Sequence, residues 1–169
     1  MKKIALISDN HSYFGKEVTD HLGDVDEIWH AGDIGDLNSL KEIRPLAIFR
    51  AVYGNIDDQS VKELFPLNQL FICEGLKIFM THIGGYPGKY IKRVADIIKS
   101  EKPNIYICGH SHICKVIPDK NNNLLHMNPG AYGHHGFHKM RTFLKFDIEN
   151  AKVTNLRAIE LGLRGFIEK

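Results

Sequence analysis

His110 and His112 stand two residues apart just after an apolar run, Asn104-Ile105-Tyr106-Ile107-Cys108, with Gly109 at the junction. Side chains at i and i+2 share one face of an extended chain, so the two imidazoles can emerge together past the end of a strand. Neutral imidazole is the commonest nitrogen ligand of borderline divalent metals. The scheme recurs along the chain. Asp9 and His11 follow Ile4-Ala5-Leu6-Ile7, Asp33 sits between Gly32 and Gly35, Asn55 follows Gly54, and His82 precedes Gly84-Gly85. These residues are all oxygen or nitrogen donors, and no thiolate is required. The set suits two divalent ions in octahedral or trigonal-bipyramidal surroundings better than one tetrahedral structural zinc.

Each residue also has a bland role. A His-x-His pair can be a polar turn, and a lone His82 can be a hydrogen-bonded structural residue. Asp9 or Ser12 can cap a helix over 13–22, Asp36 one over 37–43, and Asp57 or Asp58 one over 59–64. Cys108 and Cys114 flank the histidine pair and could complete a zinc site with it, although Cys108 falls within the strand run.

The elements that must position these groups are readable from periodicity. Apolar runs at 4–7, 25–31 and 46–53 predict strands covered on both faces. Leu70 to Cys73 and Leu76 to Met80 flank Glu74-Gly75 as a hairpin. Ile91, Val94, Ala95 and Ile98 fall at i, i+3, i+4 and i+7, which predicts an amphipathic helix over 89–100. Two further hairpins pair 114–117 with 124–127 and 142–148 with 152–157. Strands and helices alternate early and antiparallel strands dominate late, so two packed sheets with helices outside are expected, as one domain over 1–169.

Composition narrows the function. The 169 residues are 43% hydrophobic and 25% charged, with a formal net charge of +2 and 10 histidines. No basic stripe stands out, so no specific nucleic-acid partner is expected. Three unpatterned cysteines point to a reducing, cytoplasmic setting. The apolar run after Lys2-Lys3 is too short for a signal peptide, and no stretch approaches the roughly 20 residues that span a bilayer. The turn after the first strand lacks the glycine-rich phosphate cradle of Rossmann and P-loop proteins. Exposed edge strands leave room for a homodimer.

Five blocks in order, Asp9-Asn10-His11, Gly32-Asp33-Ile34-Gly35-Asp36, Gly54-Asn55-Ile56-Asp57, Thr81-His82 and Gly109-His110-Ser111-His112, give the chain its resemblance. It resembles the calcineurin-like metallophosphoesterase superfamily, and within it the compact bacterial and archaeal phosphodiesterase branch. Asn128-Pro129-Gly130-Ala131 also matches that branch. The resemblance implies an α/β fold, the four-layer α-β-β-α sandwich, with the ligands on loops at one edge of the sheets. It implies that Asp9, His11 and His112 hold one metal, that Asn55, His82 and His110 hold the other, and that Asp33 bridges them. A hydroxide shared by the two ions would then attack phosphorus, with Asp33, Asn55 and His82 serving catalysis as well as ligation. Mn²⁺ is the first expectation for both ions, with Fe²⁺, Zn²⁺ or Ni²⁺ as alternatives.

One position departs from the wider superfamily, whose third block commonly reads Gly-Asn-His and uses that histidine on the leaving group or the transition state. Here it is Ile56. The 133–138 segment, with His134, His135 and His138, either supplies a substitute or is a surface loop. Tyr13, Tyr86 and Arg141 are candidate substrate contacts. The implied activity is hydrolysis of small organic or nucleotide phosphodiesters. The alternatives are a phosphomonoesterase, or a non-catalytic protein-binding scaffold like the related subunit of the retromer coat.

Overall fold

The computed structural model describes residues 1–165. Among these described residues ten strands run in chain order as β1 (Lys2–Ile7), β2 (Glu27–His30), β3 (Ile48–Ala51), β4 (Asn68–Cys73), β5 (Leu76–Thr81), β6 (Ile105–Ile107), β7 (Cys114–Asp119), β8 (Leu124–Pro129), β9 (Met140–Glu149) and β10 (Lys152–Leu163). They form two five-stranded sheets, β10-β9-β1-β2-β3 and β4-β5-β6-β8-β7. In the first, β1, β2 and β3 are parallel, with Leu6 opposite Trp29 and Trp29 opposite Arg50. In the second, β5, β6 and β8 are parallel. Each sheet is completed by antiparallel neighbours, which makes both of them mixed.

Period-two alternation decides what each face covers. Ile4 and Leu6 point inward with Trp29, meeting Ile78, Met80, Ile105, Ile107 and Met127 of the other sheet in the inter-sheet core. Ala5, Ile7 and Ile28 face outward against Val18, Leu22 and Ile43. On the far side, Phe79 and Tyr106 pack under Val94 and Ile98. This is the expected α-β-β-α sandwich, with thin outer layers.

The helices are shorter than expected, for local reasons. Residues 13–22 contain only one helical turn, α1 (Lys16–Thr19), because extended Gly15 stands at its N-cap and offers no side chain to it. Residues 37–46 form two 3-10 turns, the second containing Pro45, which lacks a backbone donor. The α2 helix (Gln59–Leu64) is capped by Asp58, whose Oδ1 accepts from the Ser60 and Val61 amides. The α3 helix (Lys92–Glu101) begins later than residue 89, because Lys89 closes a turn onto the Tyr86 carbonyl. The last hairpin extends past residue 157, with irregular register between Thr154 and Arg157 and between Glu160 and Leu163. Among the described residues, no helix is long and apolar enough to cross a membrane.

Candidate metal centre

Parallel strands deliver their C-terminal ends to one edge of their sheet, where α/β proteins place their ligands. The loops leaving β1, β2, β5 and β6 are bonded together there. Asp9 N donates to the Gly32 carbonyl at 3.0 Å and Gly109 N to the His82 carbonyl at 3.0 Å. His110 N donates to Asp9 Oδ2 at 3.1 Å, which joins the loops of one sheet to those of the other.

Asp33 lies between two groups of partners. Its Oδ1 is 3.2 Å from His82 Nε2, while its Oδ2 is 3.6 Å from His11 Nε2. Asp9 Oδ1 lies 3.1 Å from His112 Nε2. One set of potential ligand atoms from Asp9, His11, Asp33 and His112, and another from Asp33, His82 and His110, each fall within 4.8 Å of one another. Asp33 belongs to both sets. Asn55 is exposed and lines the same cleft as His11, Asp33, His110 and His112. The two clusters are compatible with a dinuclear metal site. No cysteine belongs to either among the described residues, and Cys108 Sγ instead faces the Gly85 carbonyl.

The donor atoms themselves supply the test of fit. Asp9 Oδ1, His11 Nε2 and His82 Nε2 are buried without a hydrogen-bond partner, a costly arrangement unless another group satisfies them. His82 Nδ1 donates to the Ala31 carbonyl at 2.7 Å, which leaves the Nε2 lone pair facing Asp33. His138 donates from Nε2 to the Gly133 carbonyl at 3.0 Å and so accepts at Nδ1 from His112 Nδ1, 3.3 Å away. That leaves the His112 Nε2 lone pair facing Asp9. Metal-binding imidazoles are oriented in this way, through the ring nitrogen that does not ligate.

Charge follows the same geometry. Burial alone would raise the Asp33 carboxyl, but the adjacent His82 imidazole and the Ile56 amide hold it below the usual range. Burial opposes the charged form of His82, yet Asp33 and Asp9 outweigh it and raise its pKa. Burial lowers His11.

The backbone is contorted where these side chains depart. Asp9 (φ 55), His11 (φ 46), Asp33 (φ 55), His110 (φ 67) and His112 (φ 58) are all left-handed, a conformation uncommon outside glycine and concentrated at functional sites. Gly54 has a separate reason to lack a side chain: a Cβ there would overlap Asp33 Oδ1 and crowd His82.

A supporting layer escaped the reading of the sequence. Asp57, expected as a helix cap, instead accepts from Gly35 N and Gly54 N, both at 2.7 Å, and ties two ligand loops together. Buried His30 accepts from Gly32 N at 3.1 Å and pairs with Asn10 Oδ1 at 3.0 Å. Its only sequence signal is an imidazole inside a buried strand, just before the Gly32-Asp33 turn. Asn128 donates to the Gly109 carbonyl at 2.8 Å and accepts from Gly130 N at 2.9 Å, which steadies the His110 loop. Asp36 does cap its 3-10 turn, accepting from Asn38 N. Arg141 is not available as a substrate contact. It is buried, pairs with Glu17 and lies over Tyr13, whose hydroxyl also donates to Glu17. The 133–138 loop reaches the cleft: His135 packs on His11 with ring centroids 4.6 Å apart.

Residues 1–151 match the family described as the calcineurin-like phosphoesterase superfamily domain. The chain belongs to that superfamily. A protein of Methanocaldococcus jannaschii described as a "probable metallophosphoesterase" is 31% identical over 134 residues, 76% of this chain and 67% of the relative. The fold is shared with Vps29 from Entamoeba histolytica, crystallised with Zn²⁺, at 15% identity and a TM-score of 0.72, over 96% of this chain and 99% of that one. It is also shared with a structure described as a novel archaeal phosphodiesterase, at 24% identity and a TM-score of 0.67, over 94% of this chain and 99% of that one. Vps29 structures recur among the neighbours in fold.

Proposed function

We propose that this superfamily member is a divalent-metal-dependent phosphodiesterase of the compact bacterial and archaeal branch, acting on small organic or nucleotide phosphodiesters. Asp9, His11 and His112 would hold one ion and Asn55, His82 and His110 the other, with Asp33 between them. Mn²⁺ is the first expectation, with Fe²⁺, Zn²⁺ or Ni²⁺ suited to the same mixed donors. The observation that carries the reading is the divided Asp33 carboxylate, set among buried donor atoms that have no hydrogen-bond partner.

These residues would hold two dications, which would supply positive charge for phosphoryl oxygens and lower the pKa of water. Asp33 would reduce the repulsion between two such dications through its negative charge. His82 and His112 present lone pairs because Ala31 and His138 take up their other nitrogens. Ile56 can move no proton, so the reading favours esters whose leaving group needs little protonation. His135 is an imidazole lining the same cleft.

The scaffold reading has its own support in the recurrence of Vps29, named for vacuolar protein sorting, among proteins of this fold. One of those structures is a zinc complex, so metal binding alone separates nothing. The presence of every ligand type favours a hydrolase, because decay to a scaffold usually removes some ligands. Turnover decides. With Mn²⁺ added, faster cleavage of bis-p-nitrophenyl phosphate than of p-nitrophenyl phosphate supports the diesterase. The reverse preference means a phosphomonoesterase, and bound metal without turnover of any ester means a scaffold.

A further inference from the structure

A second cavity, of about 180 Å³, shares His110 and Ser111 with the metal cleft. Ile83 and Tyr86, from the loop after β5, line it together with Ile113, just before β7, and Lys115 of β7. Lys115 Nζ sits 4.8 Å from the centroid of the Tyr86 ring. His126 of β8 also lines the cavity, only 1% exposed and stacked on Tyr106 at 5.3 Å.

The polar inventory of this cavity is uneven. Asn128 uses its amide on the Gly109 carbonyl and Ser111 Oγ, and its oxygen on Gly130 N. His126 Nδ1, by contrast, is buried with no hydrogen-bond partner. A buried polar atom without a partner is rare and calls for an explanation. Burial pushes the His126 pKa down to about 4, so near neutral pH the ring is uncharged and sits compatibly in an apolar wall. The ligand roles proposed above do not use it.

We propose that this cavity receives one planar six-membered aromatic ring of the substrate, an aryl group or a pyrimidine, while its phosphate lies at the metal centre. An apolar cavity of about 150 Å³ holds one benzene, so the space at hand fits a single ring. Tyr86 offers an aromatic ring to pack against, Ile83 and Ile113 apolar contact, Lys115 a cation beside Tyr86, and His126 an uncharged imidazole in the wall. His110 lines both spaces, so a phosphate beside it can direct one substituent into the cavity. The other substituent of a diester would lie in the open cleft along Ile56 and Phe137. The phosphate end of this inference rests on the hydrolase reading, and the ring end does not.

Phenylphosphonate and methylphosphonate, which are not hydrolysed, test it on the Zn²⁺-loaded protein by NMR of the isoleucine methyl groups. Phenylphosphonate should shift the Ile83 and Ile113 methyls and bind roughly five- to tenfold more tightly than methylphosphonate. Tyr86→Ala and Ile113→Trp, both at exposed positions, should erase that preference, the first by removing the aromatic ring and the second by filling the mouth. Equal affinity for the two phosphonates, binding of neither, or a preference that survives both substitutions overturns the proposal. Phenyl-dependent shifts in a protein that cleaves no ester would uphold the cavity and defeat the hydrolase reading. Turnover without a phenyl preference would do the opposite.

Discussion

His112 and His138 face one another through their Nδ1 atoms, 3.3 Å apart, and His138 is anchored in turn by the Gly133 carbonyl. The contact selects the His112 tautomer whose Nε2 lone pair points toward Asp9. Losing such an outer partner typically weakens metal binding by about 10–100-fold. His138→Ala should do so for one of two ions, as read by chelator competition or calorimetry. Unchanged affinity for both ions would mean that His112 is not held for ligation.

Asp33→Asn tests the shared carboxylate while keeping an oxygen for the Ile56 amide. The charge that would offset two neighbouring dications is lost, so bound metal should fall below two per chain. Diester turnover should drop by about 10²–10³-fold or more, the size expected when one preorganised electrostatic contact is removed. Circular dichroism and the urea midpoint of the metal-free protein should show a folded chain. Full turnover in this variant would remove Asp33 from the chemistry.

Acid should destabilise the metal-free protein through two buried imidazoles. Burial lowers the pKa of His30 to about 3 and that of His126 to about 4. The unfolded chain takes up protons below its ordinary histidine pKa of about 6.5, while the folded chain refuses them. The stability contributed by neutral His30 and His126 is therefore complete above about pH 6.5 and is lost as pH falls toward 4 and then 3. Each should cost on the order of 1.4 kcal/mol per pH unit across its window. Urea midpoints in excess chelator should fall between pH 7 and pH 4.5, and His126→Phe should lessen the fall. A flat midpoint over that range would place a charge on these rings in the folded state.

The parts of the centre that were legible are those in which one strand end carries the whole signal. Gly109-His110-Ser111-His112 announces itself because β6 is a short apolar run and both imidazoles leave it together. Asp33 between glycines is legible because Gly54 and Gly32 must admit its carboxylate and His82 at close range. The supporting layer was not legible, because its contacts join residues far apart in the chain: His30 with Asn10, His112 with His138, Asp57 with Gly35. Arg141, a candidate substrate contact by sequence, is taken up by Glu17, which the fold brings against it from 124 positions away. The helix at 13–22 failed on Gly15, whose conformational cost the surrounding periodicity did not offset.

Ile56 is the position where local geometry and the expected chemistry part. Its amide donates to Asp33 Oδ1 at 3.1 Å, a bond that depends on the backbone alone, while its side chain lines the cleft and is 43% exposed. Histidine can therefore replace it without disturbing the core or the bond to Asp33. A proton donor matters most where the leaving group is a poor one, such as an alkoxide. The wild-type protein should accordingly cleave p-nitrophenyl diesters far faster than alkyl diesters. Ile56→His should raise turnover of the alkyl esters by about 10²-fold, the lower end of general acid catalysis, and change the p-nitrophenyl rate little. The double variant with His135→Ala separates the two imidazoles. If Ile56→His gives no gain while His135→Ala alone removes alkyl ester turnover, the loop histidine already supplies the proton and the preference for easy leaving groups is wrong.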